Sequence, residues 1–288
     1  MYRDAQPWPD NGHTPDDFSA GNLEQTEWRV GKHILMHGDS ELLLDTLKEG
    51  SIDLIVTSPP YNIGVNYSQY DDTQSRESYL CWIERVAKAL QRVLSPAGSI
   101  FLNVSGTASD PWVACDVANR FRSHFVLQNN ITWIKSISIG ERTSGHFKPL
   151  QSRRFLNHNH ESLFHFTKSG MVAIDRLAVG VPFEDKSNIA RRGHSSDRRC
   201  AGNTWFVPYQ TIQSKKQRYY HPAPFPEALV ERCIMLHGGC NLCVLDPFMG
   251  TGTTLVVANR LGHRGVGIDI DSAYVEAARS RLTDLRDA

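Results

Sequence analysis

The 288-residue sequence predicts an α/β fold: a largely parallel, doubly wound sheet with helices on both faces and an inserted basic region. Three observations carry this. Short apolar runs alternate with segments of helical period. The runs are apolar nearly throughout, as in strands buried on both faces. Two of them end in unusual punctuation, a Pro-Pro corner at residues 58–61 and a Gly-Thr-Gly bend at 250–252.

Residues 1–28 are polar, contain Pro7, Pro9 and Pro15, lack periodicity and read as an irregular arm. Residues 32–37 (KHILMH) form a strand and Gly38-Asp39-Ser40 a turn. Leu42, Leu43 and Leu47 then mark a short helix ended by Gly50. In residues 51–61, SIDLIVTSPPY, a buried strand of Ile52, Leu54, Ile55 and Val56 stops abruptly at Thr57. Residues 62–75 read as a mobile loop beside that strand end. From Ser78, Tyr79, Ile83, Val86, Ala87, Leu90, Val93 and Leu94 recur at helical spacing, and Ser95-Pro96-Ala97-Gly98 ends the helix. Residues 100–104 predict a strand, 112–121 a helix, and 125–134 with 161–167 a strand pair. A helix over 226–236, a strand over 242–245, a loop over 246–254, a helix over 255–261 and a strand over 265–268 follow. Asp271 or Ser272 caps a last helix through Tyr274, Ala277, Ala278 and Leu282. Residues 29–167 and 221–288 are thus two halves of one sheet domain, with 168–220 grafted between them.

The formal net charge is zero, but it is unevenly placed. Residues 140–220 hold fourteen Lys and Arg against six acids, so this window carries a surplus of eight positive charges and the remainder an equal deficit. Such a dipole turns one face toward a polyanion, and Arg153, Arg154, Arg191, Arg192, Arg198, Arg199, Lys215 and Lys216 are the candidate contacts. No run approaches the length of a membrane helix and no signal pattern opens the chain, so the expected location is the cytoplasm. Six scattered cysteines fit reduced thiols. Cys240-Asn-Leu-Cys243 has no matching second pair, and no metal site is expected.

The two punctuated strand ends carry the chemistry. Neither Pro59 nor Pro60 has a backbone donor, and each restricts the residue before it to extended geometry. The stiff corner presents the Ser58 hydroxyl, carbonyls that no helix or sheet claims, and the Tyr61 ring. That suits a flat heterocycle, hydrogen-bonded at its edge and stacked on its face. The second stretch, VLDPFMGTGTT, runs from strand through Gly250 and Gly252 into a helix whose first N–H groups are unpaired. It has neither the Gly-Lys of a P-loop nor the third glycine of a dinucleotide fingerprint. Asp269, 17 residues after Gly252 at the next strand end, can accept both hydroxyls of a ribose. A nucleoside without phosphates to cradle suits S-adenosylmethionine.

Together, Ser58-Pro59-Pro60-Tyr61 and Phe248-Met249-Gly250-Thr251-Gly252 resemble the paired motifs of the amino-methylating DNA methyltransferases. Their order, corner first and bend about 190 residues later with the basic segment between, resembles the β class, a circular permutation of the Rossmann-like methyltransferase sheet. The resemblance implies that residues 29–167 are the catalytic half, 168–220 the target-recognition region and 221–288 the cofactor half. It implies catalytic roles for Ser58, Pro59, Pro60 and Tyr61. It also implies cofactor contacts from Asp246, Phe248, Gly250, Gly252, Thr253, Thr254, Asp269 and Asp39, and from His221 and Phe225 of HPAPFP. The expected substrate is double-stranded DNA with a base flipped out of the stack. A cognate restriction endonuclease and a homodimer are further expectations.

No cysteine follows a proline, which argues against methylation of a ring carbon. SPPY and HPAPFP are more similar to the N4-cytosine type than to the N6-adenine type, and N4-methylation of cytosine is the expected reaction. The rivals are an N6-adenine enzyme of the same fold, an RNA or small-molecule methyltransferase, and a silent DNA-binding module.

Overall fold

The computed structural model describes residues 26–145, 150–191, 193, 195–208 and 225–287. In chain order its elements are β1 (Thr26–Val30), β2 (His33–His37), α1 (Ser40–Thr46), β3 (Ile52–Thr57), α2 (Arg76–Val93), β4 (Leu94–Val104), α3 (Val113–Phe121), β5 (Val126–Ile134), β6 (Ser136–Ile139), β7 (Arg142–Gly145), β8 (His160–Thr167), α4 (Ser187–Arg191), β9 (Thr204–Phe206), α5 (Glu227–His237), β10 (Cys243–Asp246), α6 (Thr253–Arg260), β11 (Arg264–Asp269) and α7 (Ser272–Asp287).

Nine strands form one sheet in the order β1-β2-β11-β10-β3-β4-β8-β5-β9, and β6 and β7 form a separate hairpin. The central block from β2 to β4 is parallel throughout. The pairs β1–β2, β4–β8 and β8–β5 are antiparallel. Strands late in sequence, β10 and β11, thus insert between the early strands β2 and β3. This is the permuted, largely parallel sheet the motif order implies. Helices cover both faces. Leu43 and Leu44 of α1, Ile83 and Val86 of α2 and Val113 of α3 pack on one. Val230 and Cys233 of α5 and Val257 of α6 pack on the other, and Val275 and Ala278 of α7 join α6 there. All six residues of β3 are buried, as a strand covered on both sides requires.

Three boundaries differ from the sequence reading. Thr26–Val30 is a strand rather than the end of an irregular arm, because Trp28 and Val30 alternate with Glu27 and Arg29 and pack against the α6–α7 cluster. The helix ends where expected, but the strand expected over 100–104 begins earlier: α2 passes directly into β4 at Leu94, Pro96 and Ala97 sit exposed near the start of the strand, and the pairing with β3 slips between Ile52 and Leu54. A Cβ on Gly98 would lie 2.6 Å from Leu94 Cδ1 and 3.0 Å from the Asp53 carbonyl, so close packing against β3 selects that glycine. Within the expected recognition region, β9 extends the main sheet alongside β5 and buries Trp205, so this segment is stitched to the sheet as well as grafted onto it.

Candidate active site

Strands β3 and β10 lie side by side and parallel, so the Pro-Pro corner after Thr57 and the glycine bend after Asp246 leave the same edge of the sheet. Asp246 ties them together. Its buried carboxylate accepts the Thr57 hydroxyl at 2.8 Å, the Thr254 hydroxyl of α6 at 2.7 Å and the Phe248 N–H at 3.1 Å. Above this tie opens a cavity of about 770 Å³, within the usual range for a small-molecule site. Ser58, Pro59, Pro60 and Tyr61 line one wall. Phe248, Gly250, Thr253, Asp269, Asp39 and Phe225 also line it.

The corner is held from below by the Tyr79 hydroxyl of α2, which donates to the Pro60 carbonyl at 2.9 Å. That carbonyl is thus taken by a side chain and not by the hydrogen bonds of a helix or sheet. Tyr61 enters a polar network. Its hydroxyl lies 2.7 Å from Ser58 Oγ, donates to Glu161 Oε2 at 3.2 Å and accepts Asn103 Nδ2 at 2.8 Å. Asn103 Nδ2 also donates to Glu161 Oε2 at 2.7 Å, and Lys135 Nζ donates to Glu161 Oε1 at 2.9 Å. Burial, with the Glu161 charge beside it, raises the Tyr61 hydroxyl well above its ordinary range, so it stays protonated. The loop over 62–75, expected to be mobile, is organised on the buried Asp72 carboxylate. This accepts the N–H groups of Asn62, Ile63 and Val65 at 2.8, 3.1 and 2.9 Å. It aims Tyr67 and Tyr70 at the cavity, the latter against Trp82 at a ring separation of 5.6 Å.

On the opposite wall, Gly250 and Gly252 both have positive φ, 51° and 80°. Gly250 N–H donates to Asp269 Oδ2 at 2.8 Å, and Asp269 Oδ1 accepts the Asp271 N–H at 2.9 Å. Burial lifts the Asp269 carboxyl to about 6, against the pull of those two donors. Asp39 caps α1 by accepting the Glu41 N–H at 2.8 Å. Three expected cofactor residues do not reach the cavity wall: Asp246 and Thr254, whose polar groups are spent on the tie, and Gly252. A Cβ on Gly252 would lie 2.8 Å from Ala278 Cβ, so close packing against α7 demands glycine there as well as the positive φ. His221 lies outside the described residues, as do Arg192, Lys215 and Lys216. Arg153, Arg154, Arg191, Arg198 and Arg199 are exposed and do not line the cavity. Among the described residues no cluster of His, Cys, Asp or Glu could hold a metal ion.

The donor set fits S-adenosylmethionine: a carboxylate at the end of β11 for a ribose, a helix N-terminus beside it, and the apolar side chains Phe248, Ile270 and Trp82 on the cavity lining. Sequence reading missed Asn103, Lys135 and Glu161, which come from β4, from the residue after β5 and from β8. One signal was available, since Asn103 interrupts the apolar run of a buried strand.

The model of the N6/N4 DNA methylase family matches residues 52–280, both wall motifs included. The chain belongs to the DNA methylase family. Among relatives of this methylase, the type II methyltransferase M.ScaI of Streptomyces caespitosus is 31% identical over 263 residues, which cover 86% of this chain and 81% of that protein. The DNA adenine methyltransferase YhdJ of Escherichia coli is 26% identical, with 90% and 85% covered. Among solved structures, the cytosine-N4-specific PvuII DNA methyltransferase shares the methylase fold at a TM-score of 0.67 and 20% identity, over 90% of this chain and 92% of that one. A putative DNA modification methylase of Thermus thermophilus, TTHA0409, in complex with S-adenosylmethionine, superposes at 0.60 with 25% identity, over 88% and 92%. No helix among the described residues is long and apolar enough to cross a membrane.

Proposed function

We propose that this DNA methylase transfers a methyl group from S-adenosylmethionine to the exocyclic N4 amine of a cytosine flipped out of duplex DNA. The observation that carries the reading is the shared cavity: the Ser58 corner and the Gly250 bend face one space from adjacent parallel strands. S-adenosylmethionine supplies an electrophilic methyl group. An exocyclic amine is a poor nucleophile because its lone pair is delocalised into the ring. Ser58 Oγ and the Pro59 carbonyl accept its two N–H groups, draw the nitrogen toward tetrahedral geometry and aim it across the cavity. Rate enhancement then comes from orientation and fixed dipoles. No strong base is required before attack, since the amine loses a proton only after it becomes cationic. Tyr61 offers a face to the flipped base, and Asp269 holds the ribose. The exposed arginines at 153, 154, 191, 198 and 199 contact phosphates.

The choice of cytosine rests on serine at the head of the corner, in a motif similar to the N4-cytosine type. The site is also built for a neutral residue there: a carboxylate at position 58 would face the same tyrosine hydroxyl that Glu161 already holds. A second reading, N6-methylation of adenine, has in its favour the YhdJ relative, whose name assigns it to adenine. A bacterial or archaeal cytoplasm, a functional pairing with a restriction endonuclease and a homodimer complete the proposal. The test is direct: incubate the protein with duplex DNA and S-adenosylmethionine, digest to nucleosides and identify the product by mass. N4-methylcytosine is expected. N6-methyladenine would replace the base assignment, and 5-methylcytosine would overturn the amine chemistry.

A further inference from the structure

We propose that Glu161 is a positioning residue that sets the direction of a chain of hydrogen bonds ending at Ser58, so that the serine hydroxyl meets the target amine as an acceptor. The inference rests on the amine-methylation reading above.

An ionised carboxylate accepts only. Glu161 pairs with Lys135 Nζ at 2.9 Å, and the pair is largely buried, with side-chain exposures of 13% and 20%. Its Oε2 therefore takes the Tyr61 hydroxyl proton and one Asn103 amino hydrogen. The Tyr61 oxygen is left with two lone pairs. One accepts the other Asn103 hydrogen at 2.8 Å, and the remaining neighbour is Ser58 Oγ at 2.7 Å. With its own proton spent, Tyr61 can only accept from Ser58. Serine has one proton, and it is now committed away from the substrate. Its lone pairs are what an N–H in the cavity encounters. Without this polarity the Ser58 hydroxyl is as free to present its proton, which would repel the amine it is meant to orient.

Glu161→Gln reverses the chain at Tyr61 and sets its amide nitrogen against Asn103 Nδ2, which loses the acceptor it has in Oε2. Lys135 requires an acceptor, so the glutamine oxygen takes the Oε1 position and the amide nitrogen faces Tyr61. Tyr61 then accepts from position 161 and donates to Ser58. Asn103 cannot compensate cheaply by turning its amide over. That would place both amino hydrogens where its buried Oδ1 has no partner.

The experiment is a double-mutant cycle measured by kcat, KM for duplex DNA and for S-adenosylmethionine, and thermal unfolding. E161Q is expected to lower kcat by about 30-fold or more, with both KM values within about twofold of wild type and unfolding within a few degrees. Tyr61→Phe, which disconnects Ser58 from the chain, is expected to cost about fivefold. The double variant E161Q/Y61F should turn over faster than E161Q alone, a rescue that a merely structural role would not produce. As a second variant, Glu161→Asp keeps an acceptor-only group and should retain at least a tenth of wild-type turnover. Wild-type turnover in E161Q, no rescue in the double variant, or E161D reduced as far as E161Q is expected to be would each overturn the inference. Failure of the underlying reading is separate: there the wild-type protein would place no methyl on an exocyclic amine.

Discussion

Asp246 offers the sharpest separation between scaffold and ligand contact. It is 1% exposed, and burial raises its carboxyl from the ordinary 3.8 to about 6, despite donors from Thr57, Thr254 and Phe248. A rise of that size corresponds to about 3 kcal/mol at ~1.4 kcal/mol per pH unit. Its sign is unfavourable: the folded protein binds the proton more tightly than the unfolded chain. Stability is therefore lost as pH rises through roughly 4 to 6, and the cost is fully present at pH 7.5. Asp246→Asn removes the charge and can keep the geometry. Its Oδ1 can still accept from Thr57 and the Phe248 N–H. Its amino group can donate to Thr254, whose hydroxyl then turns fully to the Val56 carbonyl, already 3.2 Å away. We expect D246N to be more stable than wild type at pH 7.5 by up to about 3 kcal/mol. In a chain of 288 residues this is an upper bound of about 5 °C in Tm. The advantage should shrink toward zero near pH 4, and S-adenosylmethionine affinity should be unchanged. Thermal unfolding across pH 4–8 and calorimetric cofactor titration measure both. A D246N protein destabilised at pH 7.5, or one that loses cofactor affinity tenfold, would refute the assignment of Asp246 as a structural tie and restore it to the cofactor contacts.

Other perturbations probe the two walls and the basic face. Ser58→Ala should lower kcat by about 10²–10³-fold while DNA affinity changes little, and parallel losses in both would remove Ser58 from the chemistry. S-adenosylmethionine binding should weaken as pH falls through about 6, where Asp269 takes up a proton and loses an acceptor. The decline should approach tenfold per pH unit, and Asp269→Asn should bind weakly with a flat profile. A pH-independent wild-type affinity would reject the ribose assignment. Replacing Arg191, Arg198 and Arg199 with Gln should make the salt dependence of DNA binding shallower, by up to about 0.9 in logarithmic slope for each phosphate no longer neutralised. An unaltered slope would move the DNA-facing surface elsewhere.

What the sequence revealed was local in the chain. The Pro-Pro corner and the glycine bend are backbone statements written within a few residues, and both lie where the sheet order brings them together. Asp269 was legible because a carboxylate at the end of the strand after a glycine bend has a defined place in a parallel sheet. What escaped was what tertiary contact decides. Glu161, Asn103 and Lys135 converge from separate strands, and no spacing connects them. The glycine at 252 suggests room for a ligand, whereas a helix more than twenty residues later needs that room. Asp246 looks like part of the cofactor site because it stands beside the bend, yet its carboxylate points into the tie beneath it. The passage from α2 directly into β4 was hidden by Pro96 and Gly98, whose usual meaning is a break.

The central claim is that these two corners let one methyl group pass in line to an amine, with no protein-bound intermediate. The most direct measurement uses S-adenosylmethionine carrying a methyl group made chiral with the three hydrogen isotopes, followed by configurational analysis of the methylated base. A single displacement predicts inversion. Net retention would mean two displacements, with the methyl held by the protein in between, and would contradict the account.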